Sequence, residues 1–173
     1  IHRGKVSVGD QVRIHPSNQV ATIATIVADM KKVDRADEGD AVTLVFQPEV
    51  DITRGDLIAS VHEEISGSDR FSAHLVWLNE EALIHSRSYL LISGPTQIPV
   101  IVTKIRHSID VNTGEEKPAN TLVMNEIGVV EIATNAPLAL LPYKESREFG
   151  NFILVDRVTS ESVGAGMIRH ALR

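Results

Sequence analysis

Apolar and polar residues alternate with a period of two along most of this chain. Val12 and Ile14 share one face of residues 10–14, and Val42, Leu44 and Phe46 alternate with Ala41, Thr43 and Val45. Phe71, Ala73, Leu75 and Trp77 lie opposite Ser72, His74 and Val76. Further strand-like runs fall at 89–92, 98–105, 121–124, 129–132 and 152–158. Such alternation sends one set of side chains into a core and the other toward water. Turn residues punctuate the runs: Gly9-Asp10, Gly39-Asp40, Gly55-Asp56, Ser93-Gly94-Pro95, Asn112-Thr113-Gly114 and Asn135-Ala136-Pro137. Many short strands at this spacing predict an all-β fold of the sandwich or barrel kind. No stretch keeps a 3.6-residue apolar stripe for three turns, so at most one capped helical turn is expected, at 79–83.

The polar stretch 62–70, with Ser66-Gly67-Ser68 inside it, separates two groups of strands and reads as a linker. Two barrels are predicted, residues 1–64 and residues 65–173.

Composition narrows the class. Of 173 residues, 43% are hydrophobic and 23% charged, the balance of a folded globular protein. Apolar stretches such as Val100-Ile101-Val102 fall far short of the ~20 residues that span a bilayer. No signal-peptide core follows Ile1-His2-Arg3-Gly4-Lys5, and no cysteine is present to form a disulfide or a thiolate metal site. A cytoplasmic protein without membrane contact is expected. The formal charge is −6 and no Lys/Arg run occurs, with Lys31-Lys32 reading as a solvated turn. A nucleic-acid partner is therefore not expected.

Candidate chemistry is sparse. A phosphate cradle needs a glycine-rich loop ending in Gly-Lys-Ser/Thr, whose amides wrap phosphate and whose hydroxyl holds magnesium. The one Gly-Lys pair, Gly4-Lys5, is followed by Val6. Lys31-Lys32-Val33-Asp34 lacks the Asn of a guanine-reading element, and no Asp-x-x-Gly occurs. His62-Glu63 begins like a zinc-protease motif, but Ser66 stands where the second histidine belongs. The seven histidines lack ligand spacing and read as surface or strand-edge residues. No catalytic, cofactor or metal site is expected. Two polar constellations remain: Arg106-His107-Ser108-Ile109-Asp110 after an apolar strand, and Asn125-Glu126 before Gly128. Each reads either as an ordinary polar strand end or turn, or as a partner contact. Arg106, His107, Asp110, Asn125 and Glu126 are the contact candidates.

A family resemblance rests on ordered segments. Gly4-Lys-Val-Ser-Val-Gly-Asp10, Ala36-Asp-Glu-Gly-Asp-Ala-Val42 and Asp51-Ile-Thr-Arg-Gly-Asp-Leu57 resemble the second, β-barrel domain of translation-factor-type GTPases. Leu75-Val-Trp-Leu78, Arg106-His-Ser-Ile-Asp-Val-Asn112, Leu122-Val-Met-Asn-Glu-Ile-Gly-Val129, Asn151-Phe-Ile-Leu-Val-Asp-Arg-Val158 and Val163-Gly-Ala-Gly-Met167 extend the match. Together they resemble the GTPase subunit of bacterial sulfate adenylyltransferase over nearly the whole chain. The resemblance implies two small barrels like domains II and III of elongation factor Tu. It also implies that the first lacks an N-terminal strand, since Ile1 aligns inside the opening hairpin.

On this resemblance the chain itself is non-catalytic, whereas its parent is an enzyme. The barrels would couple GTP hydrolysis to synthesis of adenosine 5′-phosphosulfate from ATP and sulfate. GTP and magnesium would belong to a GTPase domain upstream. The implied partners are that domain and a separate catalytic subunit. Residues 167–173 resemble the junction where some members continue into an adenylylsulfate kinase domain, leaving single-function and bifunctional parents both open. A translation-factor-type RNA- or ribosome-binding module is the alternative, and it would need a basic face.

Overall fold

The computed structural model describes residues 1–172. The chain divides into two compact units, Ile1–Glu64 and the remainder from Ile65. Both consist of strands and turns.

Unit 1 carries seven strands: β1 (Lys5–Ser7), β2 (Gln11–His15), β3 (Gln19–Ala28), β4 (Lys31–Val33), β5 (Arg35–Asp37), β6 (Thr43–Gln47) and β7 (Leu57–Ser60). Five form one sheet in the order β4-β3-β2-β7 with β6 on the other edge of β3, and β1 pairs β5 separately. Among the described residues this sheet does not close, so unit 1 is a half-barrel. Its core is thin: Val12, Ile23, Ile26 and Ala36 are buried, with Val6, Val42, Leu44, Phe46 and Ile58 half-buried against them. Gly9 (φ 94°) and Gly39 (φ 93°) make turns that a side chain would strain. Asp10 and Asp40 close these turns by accepting from the amides of Ser7 and Asp37.

Unit 2 contains β8 (Ser66–Trp77), β9 (Ser88–Ser93), β10 (Thr96–Ile109), β11 (Glu116–Lys117), β12 (Ile127–Leu140), β13 (Asn151–Asp156) and β14 (Ser162–Ala171). The pairing order β10-β12-β8-β14-β13-β9 returns to β10 through a β9–β10 hairpin, so six strands close a barrel, with β11 appended to β10. Closure removes free edges, the usual hazard of a sheet. Phe71, Ala73, Leu75 and Trp77 all point inward, where they meet Tyr89, Leu91, Val100, Val102, Ile132 and Leu154. Phe71 meets Phe152 edge-on at 5.9 Å and Trp77 meets Tyr89 at 5.7 Å. Each such ring contributes roughly 1.5–3 kcal/mol through burial. The Trp77 indole donates to Glu81 O at 2.7 Å, so its polar edge is satisfied.

Several sequence expectations are corrected. Residues 121–124 form no strand. They lead into a turn where Asn125 has φ 68° and the Glu126 carboxylate accepts from Val123 N, while Leu122 is buried under Gly128. The apolar character there serves core filling, not pairing. The polar linker is shorter than 62–70, because β8 begins at Ser66 and pairs 66–68 with residues 138–140 of β12. Lys31 and Lys32 are exposed but lie in β4, the turn falling one step earlier at Asp29 and Met30. At 79–83 Asn79 Oδ1 accepts from Glu81 N in a bend, and no helical turn forms. His15 is not a surface residue: it is buried at the end of β2, opposite Leu57. Arg173, the last residue of the kinase-like junction, lies outside the described residues. No helix of the described chain is long and apolar enough to cross a membrane.

Candidate functional site

The most chemically distinctive surface of unit 2 lies on the outer face of four adjacent strands. One register row runs Lys104, Glu131, Ser72, His170 across β10, β12, β8 and β14. The next row runs His107, Val129, His74, Met167. Over these rows lies a shallow cleft of about 500 Å³ lined by Ser72, Lys104, Arg106, His107, Arg169 and His170.

Three irregularities build it, the first between Val102–Ile132 and Lys104–Glu131, where Thr103 is extra and Lys104 is turned outward. Between Ile105–Val130 and His107–Val129 the ladder slips by one residue, leaving Arg106 as an extra residue on β10. Between Ile168–Ala73 and His170–Ser72 it slips again, leaving Arg169 extra on β14. A β-bulge of this kind re-aims side chains. Strict alternation would send Arg106 and His107 to opposite faces, and likewise Arg169 and His170. The bulges bring all four to the cleft.

Beneath them sits Glu131, a carboxylate only 8% exposed. Arg106 pairs with it at 2.5 Å and Arg70 approaches at 3.9 Å. A buried carboxylate needs such partners, since an unpaired one would carry its full desolvation penalty. Glu131 thus tethers Arg106 and leaves Lys104 and Arg169 toward solvent. His107 Nε2 lies 3.2 Å from a Glu116 oxygen, close enough for attraction but not aligned for a hydrogen bond. His74 is held below the ordinary imidazole range, first by burial and then by the nearby charges of Arg169, His107 and Lys144.

The five residues singled out from sequence divide. Arg106 and His107 line the cleft. Asp110 instead closes the turn after β10: its carboxylate receives Lys117 Nζ at 2.6 Å and the amides of Asn112 and Thr113. That salt bridge, then those amides, hold its pKa at about 2. Asn125 and Glu126 form the turn facing Trp77, with Asn125 N donating to Trp77 O and Trp77 N donating to Glu126 O. Lys104, Arg169, His170, Ser72 and Glu131 were not singled out. Lys104 was legible only as a charge two residues before Arg106, and nothing local linked either to Arg169.

The one Gly-Lys pair does not fit a phosphate cradle. Gly4-Lys5 enters strand β1 directly rather than a helix N-terminus, and a Cβ on Gly4 would meet open space instead of a cradle wall. Among the described residues no group of three His, Asp or Glu is placed to hold a metal ion.

Comparison with known proteins adds the family context. Residues 70–169 match the family described as GTP-eEF1A C-terminal domain-like. The chain is 45% identical over 98% of its length to the bifunctional enzyme NodQ of Azospirillum brasilense, of which it covers 27%. It is 37% identical over 99% of its length to sulfate adenylyltransferase subunit 1 of Shewanella woodyi, of which it covers 37%. The chain therefore spans well under half of these relatives. A crystal structure of Sup35 complexed with GDP superposes with a TM-score of 0.85 over 98% of this chain and 42% of that one, at 19% identity. That likeness shows the fold.

Proposed function

The chain belongs to the GTP-eEF1A C-terminal domain-like family, and from that premise we propose that it forms the non-catalytic barrels of a sulfate adenylyltransferase GTPase subunit. Its role is in sulfate activation in the cytoplasm. The barrels couple GTP hydrolysis, on a GTPase domain of the same parent, to formation of adenosine 5′-phosphosulfate from ATP and sulfate on a separate catalytic subunit. GTP and magnesium belong to that GTPase domain. The observation that carries the reading is identity of 37–45% along essentially the whole chain to NodQ and to sulfate adenylyltransferase subunit 1. A bifunctional parent, with a fused kinase domain, accords with the relative named as a bifunctional enzyme.

Coupling demands that a surface contact its partner differently in two nucleotide states, so the residues that matter are interface residues. Arg106 and His107 are the two sequence candidates on a shared open surface. Asp110, Asn125 and Glu126, which hold the turns after β10 and before β12, are contact candidates outside that surface.

Titration calorimetry of the chain against the catalytic subunit of sulfate adenylyltransferase tests the proposal. Saturable binding, weakened in Arg106→Ala, is the expected result. Arg106 is about half exposed, so the loss is intermediate between a rim charge and a desolvated one, about three- to tenfold. Absence of binding at high micromolar concentration would remove the docking role.

A further inference from the structure

We propose that the bulge-built cleft of unit 2 is a docking site for a carboxylate-rich polypeptide segment of a partner protein, gripped by Lys104 and Arg169 with Arg106 between them. The inference rests on the reading above only in taking the occupant to be a protein.

Charge is the first argument. The chain carries a formal −6, yet the cleft lining holds three permanent cations, two imidazoles, one hydroxyl and no carboxylate. One cation, Arg106, is already matched by Glu131 beneath it. Among the described residues Lys104 and Arg169 sit in no ion pair, and both are exposed. A local positive excess on an acidic protein selects an acidic partner and steers its approach.

Spacing is the second argument. Lys104 stands on β10 and Arg169 on β14, separated by β12 and β8. Three interstrand steps of ~4.8 Å put their backbones roughly 14 Å apart. With side chains standing out from the sheet, that span offers two separate cationic points rather than one. It matches an extended peptide, in which side chains at i and i+4 share a face and lie roughly 13–14 Å apart. A shallow, open cleft likewise suits a chain lying across strands better than an enclosed small molecule.

The third argument is against nucleic acid. Single-stranded RNA is held by aromatic platforms as well as cations. No Phe, Tyr or Trp lines the cleft, and Phe71, Trp77, Tyr89 and Phe152 are all buried in the barrel, so any stacking there is left to the two imidazoles.

The test measures fluorescence anisotropy of a fluorescein-labelled octaglutamate peptide with the whole chain, alongside octaglutamine and octauridylate of equal length. Octaglutamate is expected to saturate and octaglutamine not to bind. Lys104→Glu/Arg169→Glu is expected to weaken binding about tenfold or more, while Lys31→Glu/Lys32→Glu in unit 1, with the same change of charge, leaves it unaltered. Lys104→Gln/Arg169→Gln, expected to give a smaller loss, supplies a second variant, and unchanged Trp77 fluorescence certifies the barrel in each. Equal losses in the cleft and unit 1 variants would overturn the proposal, as would octauridylate binding more tightly than octaglutamate. So would competition by sodium sulfate beyond that of sodium chloride at matched ionic strength, which would mark a small-anion site. No catalytic subunit is present, so failure here leaves the subunit titration standing, and a failed titration with octaglutamate binding intact removes only the sulfate-activation reading.

Discussion

Gly166, in the middle of β14, faces Phe152 on one neighbouring strand and Leu75 on the other. A Cβ built on Gly166 would lie 2.1 Å from Phe152 Cζ and 2.5 and 2.6 Å from its ε carbons. Carbon atoms in contact sit ~3.5–4.0 Å apart, so the ring would have to withdraw by about 1.5 Å. It has nowhere to go: Phe152 is 2% exposed and meets Phe71 edge-on at 5.9 Å. Overpacking of this kind costs ~1–3 kcal/mol, and the depth of the clash places Gly166→Ala near the top. The alanine gains ~0.5–1 kcal/mol from a stiffer unfolded chain, leaving a net loss of about 2 kcal/mol. For a unit of this size that lowers the Tm by roughly 8–16 °C. Urea unfolding followed by Trp77, the one tryptophan of the chain and a core residue of unit 2, reads the effect directly. Gly164→Ala should cost less, since its new Cβ would have as nearest neighbours the Leu75 Cδ1 at 3.1 Å, the Val76 carbonyl at 3.3 Å and the Trp77 Cε3 at 3.5 Å. Phe152→Leu should partly rescue Gly166→Ala, with a coupling of about 1 kcal/mol or more in a double-mutant cycle. A Gly166→Ala protein within about 0.5 kcal/mol of the parent, or strictly additive behaviour with Phe152→Leu, would refute this account of the barrel's packing.

Two further outcomes concern pH. His15 is buried with both ring nitrogens lacking a hydrogen-bond partner, and burial, then the Arg13 charge, hold its pKa below the ordinary 6.5. The unfolded chain therefore takes up a proton first as pH falls, and unit 1 loses stability from about pH 6.5 downward until the folded imidazole also titrates; the protection factors of β2 and β3 amides, with the intrinsic pH dependence of exchange divided out, should be lower at pH 5 than at pH 8, and His15→Phe should flatten that dependence. Asp110, with its pKa near 2, supports its turn above the unfolded value of 3.8 and loses that support as pH falls from there through 2; Asp110→Asn should speed exchange at Asn112 and Thr113 at neutral pH, whereas unchanged rates there would mean that the carboxylate does not hold the turn.

Much of this architecture is local in origin and so was legible. Phe71, Ala73, Leu75 and Trp77 alternate because a strand has a period of two, and all four are inside the barrel. The turn at Gly9-Asp10 is written in its residues, a glycine at positive φ followed by an aspartate that accepts from the amide of Ser7. The misreadings have local causes too. Residues 121–124 carry apolar side chains because Leu122 must fill the core, and composition cannot distinguish that need from strand pairing. The polar run from Ser66 looked like linker because its partners at 138–140 lie some seventy residues away.

The cleft marks the limit of such reading. That Arg106 and His107 stand together after an apolar strand was visible in the chain, as was their polar character. That both face the same side, and that Arg169 and His170 join them, depends on two bulges whose existence is a property of paired strands rather than of either strand alone. Glu131 reads in sequence as an isolated charge between Val130 and Ile132. Only the register that sets it opposite Lys104 and Ser72 makes it a buried carboxylate tethering Arg106. Alternation is decided by bond geometry within a few residues, so the sequence by itself determined strand character and the inward face. Register and bulge position are decided by hydrogen bonds between residues distant in the chain, so only the tertiary structure decided which charges meet.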